Sequence, residues 1–182
     1  MTQKTFTLQP FSPPLTLAQV SLNGIATLQQ SQLTILYTLS DPLGQVKIPS
    51  PTPDKTRQDN LWQHSCFELF VGSADTSQYW EFNCSPAGHW NVYRFDGYRQ
   101  GMAPELAFAA LPFQVTQTPS TLSLELTFSL KELALTAQPL HISITAVLES
   151  QQDELSYWAL THPGPEADFH RRDSFILSLT HV

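Results

Sequence analysis

Along much of this chain apolar side chains alternate with polar or small ones. Leu33, Ile35, Tyr37 and Leu39 form one such run, Leu122, Leu124, Leu126 and Phe128 a second, and Ile142, Ile144, Ala146 and Leu148 a third. Successive side chains of a strand point to opposite faces, so period-two alternation predicts half-buried β-strands. Clusters of Pro, Gly, Asp and Ser interrupt these runs: SDPLG, IPSPTPDK, GSADTS, SPAG and HPGPEAD. Turn signals spaced about ten residues apart belong to a sandwich or barrel. Only SLKELAL, from Ser129 to Leu135, has helical character, as one turn with Ser129 for its cap. The pattern predicts an all-β protein, an antiparallel β-sandwich of about ten strands with at most one short helix.

Two stretches depart from plain alternation. Ile48 to Asn60, IPSPTPDKTRQDN, holds three prolines and almost nothing apolar. It reads as a long surface loop, either an ordered functional one or a solvated connection. Leu61 to Met102 instead gathers three of the four tryptophans and three of the five tyrosines, which serve equally as a dense core or as a stacking surface for a ligand. With Ala87-Gly88 as a two-residue turn, Ser85 faces Trp90, Asn83 faces Val92 and Glu81 faces Arg94. A three-residue turn would flip the second strand. On the two-residue reading, Trp80, Phe82, Cys84, Tyr93 and Phe95 form the core side, joined by Phe67, Leu69 and Val71. The outer face carries Glu81, Asn83, Trp90 and Arg94, with Cys66, Glu68 and Phe70 pointing the same way. Cys66 and Cys84 then lie on opposite faces, and no disulfide is expected between them.

Length, at 182 residues, suits one domain spanning 1–182, since such a domain removes roughly 70% of its unfolded surface from water. Nine Lys and Arg stand against sixteen Asp and Glu, for a net charge of −7, with no basic run. A phosphate backbone would be repelled, so nucleic acid is a poor partner. No segment approaches the roughly 20 consecutive apolar residues that span a bilayer. The start, MTQKTFTLQPFSPPLT, lacks the features of a secretory signal, and a cytosolic protein with no membrane partner is expected. Glycine-rich phosphate loops are missing, and two cysteines make neither a disulfide framework nor a zinc site.

The outer face so derived combines two carboxylates, an amide, a guanidinium and an indole, which suits sugars: hydroxyl groups need donors and acceptors, and pyranose faces stack on flat rings. A solvated sheet face with a cross-strand Glu81–Arg94 pair would look the same. Near the C-terminus, Tyr157 and Trp158 precede THPGPEADFHRR, where His162, Asp168, His170, Arg171 and Arg172 crowd into one loop. Metal sites need three or four convergent ligands, and a Pro-rich spacer between the histidines does not supply them, so no metal is expected. Asp168 and His170 are expected to hold the loop by hydrogen bonds. Glu68 and Glu81 on neighbouring strands would form an acid–base pair with glycosidase spacing, though no nucleophile elbow or Ser-His-Asp constellation accompanies them. No catalytic residue is assigned.

Three blocks, LWQHSCFELFVG, YWEFNCSPAGHWNVYRFDGYRQGM and YWALTHPGPEADFHRRDSFILSL, with TLSLELTFSLKEL between the last two, resemble the DOMON-like proteins related to family 9 carbohydrate-binding modules. The similarity runs from Arg57 onward and is most specific in WEFN followed by SPxGxW and in the late DFH. It implies an immunoglobulin-like or jelly-roll sandwich that binds sugars, or haem in other branches, without catalysis. The positions matching the sugar clamp are Trp90, Tyr98, Glu81, Asn83, Arg94 and Arg99. Haem would use Met102 with His162 or His170 as axial ligands. The sugar-binding relatives are usually secreted and fused to enzymes; this chain is expected to have neither a leader nor a catalytic partner.

Together these readings predict a non-catalytic module that binds a carbohydrate or another polyhydroxylated small molecule, with no cofactor. The expected ligand-binding residues are Glu68, Glu81, Asn83, Trp90, Arg94, Tyr98, Arg99, Asp168 and His170. The rival is an interaction module whose aromatic block is core and which docks a protein partner through an edge strand.

Overall fold

The computed structural model describes residues 1–12, 15–136 and 139–180. Twelve strands run through the described residues. The N-terminal third supplies β1 (Thr2–Pro10), β2 (Ser21–Gln29) and β3 (Gln32–Ser40). The aromatic block supplies β4 (Cys66–Ser73), β5 (Tyr79–Cys84), β6 (Trp90–Phe95) and the short β7 (Ala103–Pro104). There follow β8 (Phe113–Gln117), β9 (Thr121–Ser129), β10 (Leu140–Glu149), β11 (Leu155–Ala159) and β12 (Leu177–Leu179). The helical turn is a 3₁₀ turn, Leu130–Leu133, capped by Ser129, whose side chain accepts from the Lys131 N–H.

All strand pairs are antiparallel, and two layers form from one continuous sheet. β8, β9, β3, β2 and β1 make the first, and β7, β6, β5, β4, β10 and β11 the second, with β12 beside the start of β10. A two-residue ladder, Gln9 with Ala159 and Pro10 with Trp158, joins β1 to β11. The sheet curls there, bringing the layers face to face. Leu22, Leu33, Ile35 and Leu124 of the first layer meet Phe67, Leu69, Phe82 and Ile144 of the second, all completely or almost completely buried. Phe82 stacks on Phe128 at 4.3 Å, and the Tyr37 hydroxyl donates to the Glu68 carbonyl at 2.6 Å.

A second apolar cluster covers the outer face of the second layer: Phe70, Tyr79, Tyr93 and Phe95 from β4 to β6, with Phe169 and Phe175 from the segment after β11. β2, β3 and β9 alternate in burial as a one-sided sheet should, whereas β4 and β5 are buried at every position. Residues 160–176 lie over a face that the alternation alone would leave to water.

The β5–β6 hairpin departs from the expected register. Pro86, Ala87 and Gly88 form a three-residue turn, closed by Ser85 N–H to the His89 carbonyl at 2.9 Å. Gly88 has φ +107°, a conformation that side chains resist. Trp90 therefore pairs with Cys84, Asn91 with Asn83, Tyr93 with Glu81 and Arg94 with Trp80. Period two then moves every side chain of β6 to the other face. Tyr93 and Phe95, expected in the core, lie on the outer face; Trp90, expected outside, is 4% exposed in the sandwich core. For β4 the expected faces hold, and Cys66 and Cys84 lie on opposite sides of the sheet.

Trp90 also anchors the long loop. The Arg57 guanidinium lies 4.4 Å above its ring and donates to Asn91 Oδ1 and to the carbonyls of Val92, Glu105 and Phe108. Thr56 and Gln58 bond the Trp90 backbone. Within residues 48–60, which are exposed or half-buried throughout, the Thr52 N–H bonds the Ala87 carbonyl and Thr56 to Gln58 are held against β6.

Candidate functional site

A cavity of about 480 Å³ opens on the outer face of the second layer. Glu68 and Phe70 of β4, Glu81 of β5, Phe95 of β6 and Val147 of β10 line it from the sheet. Trp62 and Gln63 of a 3₁₀ turn (Leu61–Gln63), Arg99 and Met102 after β6, Leu155 and Tyr157 of β11, and Ala167, Phe169 and His170 complete the lining. The sheet thus provides buried carboxyl groups, and the surrounding segments provide aromatic and polar walls.

Glu68 and Glu81 are 3% and 5% exposed. Glu68 faces Asn83 across the ladder and Glu81 faces Phe70, so the two carboxyl groups are diagonal neighbours on one sheet face. Asn83 Nδ2 donates to Glu81 Oε1 at 2.7 Å, and Thr145 Oγ1 to Glu68 Oε2 at 3.5 Å. Glu68 Oε1 is buried without a partner among the described residues. Burial holds both carboxyl groups toward the neutral form. It pushes Glu81 up to about 7 against the opposing Asn83 bond and Arg99 charge. For Glu68, burial and then the Glu81 charge drive the acid well above its ordinary range.

His170 sits against this pair. Its Nε2 is 3.8 Å from Glu81 Oε2, and its Nδ1 is 2.8 Å from the Tyr79 hydroxyl. Burial, helped by the Arg99 charge, lowers His170 to about 4, so the ring is neutral at pH 7. Tyr79, buried under the loop and stacked on Phe95 at 4.9 Å, is pushed up to about 12 by burial.

At the rim Asp168 closes a clasp. It accepts from the Tyr98 hydroxyl at 2.6 Å, from Arg99 Nη2 at 2.8 Å and from the His170 N–H at 3.1 Å. Burial pushes the Asp168 acid up, but the Tyr98 and Arg99 bonds outweigh it and hold the acid below the usual range. Arg99 adopts φ +52°, and its N–H donates to the Tyr79 hydroxyl at 3.3 Å.

The structure therefore brings Glu68, Glu81, Asn83, Tyr98, Arg99, Asp168 and His170 into one neighbourhood, from β4, β5 and two loops remote in sequence. It does not bring Trp90 or Arg94 there. Trp90 is core, and Arg94 points away from the cavity, 3.8 Å from Asp96. Met102 and His170 both border the cavity, whereas His162 bonds the Gln9 carbonyl elsewhere. The aromatic wall of Trp62, Phe95, Tyr157 and Phe169 was not legible as a site. Trp62 and Phe95 lie in the aromatic block, Tyr157 in the C-terminal cluster and Phe169 in the DFH motif, but only Phe70 was expected on the same outer face of β4 as Glu68.

No family model matches the chain, and no curated protein matches it by sequence. Solved structures do share its fold. One is a protein from Bacteroides uniformis provisionally described as carbohydrate-binding, with TM-score 0.70 at 9% identity, covering 94% of this chain and 83% of its own. Another is a family 9 carbohydrate-binding module from Caldicellulosiruptor kristjanssonii in complex with cellotriose, with TM-score 0.51 at 9% identity, covering 86% and 72%. These likenesses establish the all-β sandwich fold.

Proposed function

We propose that this protein binds a carbohydrate, or a small molecule equally rich in hydroxyl groups, in the cavity over β4, β5, β6 and β10, and does not transform it. One observation carries the reading: buried hydrogen-bonding carboxyl groups floor a cavity of about 480 Å³ whose walls are aromatic. That volume falls among ligand sites of roughly 300–1,000 Å³. Sugars need this pairing of fixed polar groups with flat apolar rings. The solved module of like fold that holds cellotriose makes gluco-oligosaccharides the first candidates. Titration calorimetry of the purified protein against mono- and oligosaccharides tests the proposal. Tyr157→Ala should weaken any measured affinity roughly ten-fold, as loss of one stacking ring does. Silence across the panel refutes it.

The Glu68–Glu81 pair favours one second reading, glycoside hydrolysis with one acid protonated. The two acids rise from one floor of the cavity as diagonal neighbours on the same sheet face, rather than from opposite walls where they would flank a scissile bond. Chromogenic glycosides should therefore release no chromophore; release that Glu81→Gln abolishes would reverse the assignment. Haem fits the lining poorly, because the ring nitrogens of His170 already face Tyr79 and Glu81.

A further inference from the structure

We infer that the ligand of this cavity carries a protonated amine, with an amino sugar as the class that unites that amine with the hydroxyl-rich ligand proposed above, on which this inference rests. The argument begins with the count of donors and acceptors. The Arg99 guanidinium is engaged by Asp168 at 2.8 Å. His170 Nδ1 meets Tyr79, and its Nε2 lies 3.8 Å from Glu81 Oε2, beyond hydrogen-bond reach. Asn83 satisfies Glu81 Oε1 and Thr145 reaches Glu68 Oε2 at 3.5 Å. Glu68 Oε1 has nothing, although Glu68 lines the cavity and is 3% exposed. Once ionised, the two carboxyl groups present acceptors that no cation among the described residues faces except Arg99, which Asp168 already holds.

A hydroxyl group offers one proton and brings an oxygen that itself needs a donor, whereas an ammonium group offers three protons and needs no donor. The ammonium also supplies the positive charge that two adjoining carboxyl groups lack. Phe70, Phe95 and Tyr157 add ring faces and edges around the same space, and a cation is held by such faces where a neutral group gains only contact area. The groups that face the carboxyl pair are Thr145 from β10, Asn83 and Tyr79 from β5, Cys66 from β4 and Tyr93 from β6, with Arg99 and His170 from the loops. Of these only Arg99 is cationic at neutral pH, and it is paired with Asp168 at 2.8 Å. Because the pair is held partly protonated at pH 7, entry of an ammonium ion expels a carboxyl proton to solvent: the ammonium–carboxylate contact forms as the carboxyl O–H breaks.

Calorimetry at pH 7 with glucose, glucosamine, N-acetylglucosamine and cyclohexylamine, each in two buffers of different ionisation enthalpy, tests this. Glucosamine should bind roughly ten-fold or more tighter than glucose and N-acetylglucosamine, as a charge-assisted bond predicts, and with proton release. Glu68→Gln should bring the glucosamine-to-glucose ratio toward one; Glu81→Gln should do the same if the first variant does not fold. Equal affinity for glucose and glucosamine overturns the inference and leaves the carbohydrate reading standing. Binding of cyclohexylamine without any sugar keeps the amine and overturns the carbohydrate reading. Binding of none of the four overturns the inference, and silence across the oligosaccharide panel as well refutes the carbohydrate reading.

Discussion

Replacing Glu81 with glutamine removes an acid that the fold holds against its solution preference. Moving that acid from its ordinary 4.5 to about 7 makes the folded state favour the protonated form. Its contribution to stability is complete below pH 4.5, declines as pH rises, and is lost once pH passes about 7. The loss amounts to about 3 kcal/mol for a group this deeply buried. His170 opposes it over part of the range. Lowered from 6.5 to about 4, the ring contributes fully above pH 6.5 and loses its contribution as pH falls toward 4. Between pH 4.5 and 6.5 the two slopes nearly cancel, so the wild-type stability profile alone is flat there and uninformative. The difference between Glu81→Gln and wild type isolates the carboxyl group. Urea denaturation at half-unit steps from pH 4.5 to 8 should show the variant gaining about 3 kcal/mol relative to wild type across that span. Relief of the Glu81 charge on Glu68 acts in the same direction. A difference that stays constant from pH 4.5 to 8 would mean that Glu81 ionises as in water, and the account of the cavity floor would fail with it.

Trp90→Ala should cost about 3–5 kcal/mol in urea denaturation, as truncating a fully packed Trp does, while Trp62→Ala, at the cavity edge, should change stability by about 1 kcal/mol or less and act on ligand affinity. Arg57→Lys keeps the charge but loses the fork that reaches four acceptors; it should cost about 2 kcal/mol and make residues 48–60 the first site of limited proteolysis. Asp168→Asn should release Tyr98 and Arg99, costing about 1 kcal/mol or less in stability yet lowering sugar affinity measurably by calorimetry; unchanged affinity would remove the clasp from the site.

Strands β3, β9 and β10 follow directly from alternation, because burial of one face is imposed by chemistry that each residue carries with it. The same logic correctly placed Phe67, Leu69 and Val71 in the core and Glu68 and Phe70 outside it, and it put Glu81 and Asn83 on the outer face. Crowding of Asp168 and His170 in one loop was equally visible. The faces of β6 were not, since they depend on whether the turn holds two residues or three, and that choice rests on the φ of Gly88 and the strap from Arg57 rather than on any periodicity. A slip of one residue exchanges Trp90 and Arg94 with Tyr93 and Phe95, which is why an indole expected at the ligand became core. Nor does local sequence say that residues 160–176 return over β4 to β6. That contact joins groups about 70 to 100 residues apart, and it turns an outer sheet face into a cavity floor. Alternation and side-chain chemistry determine which residues can form strands and which can bind; the turn geometry and the long-range cover decide which of them meet, because both depend on contacts between segments that alternation does not encode.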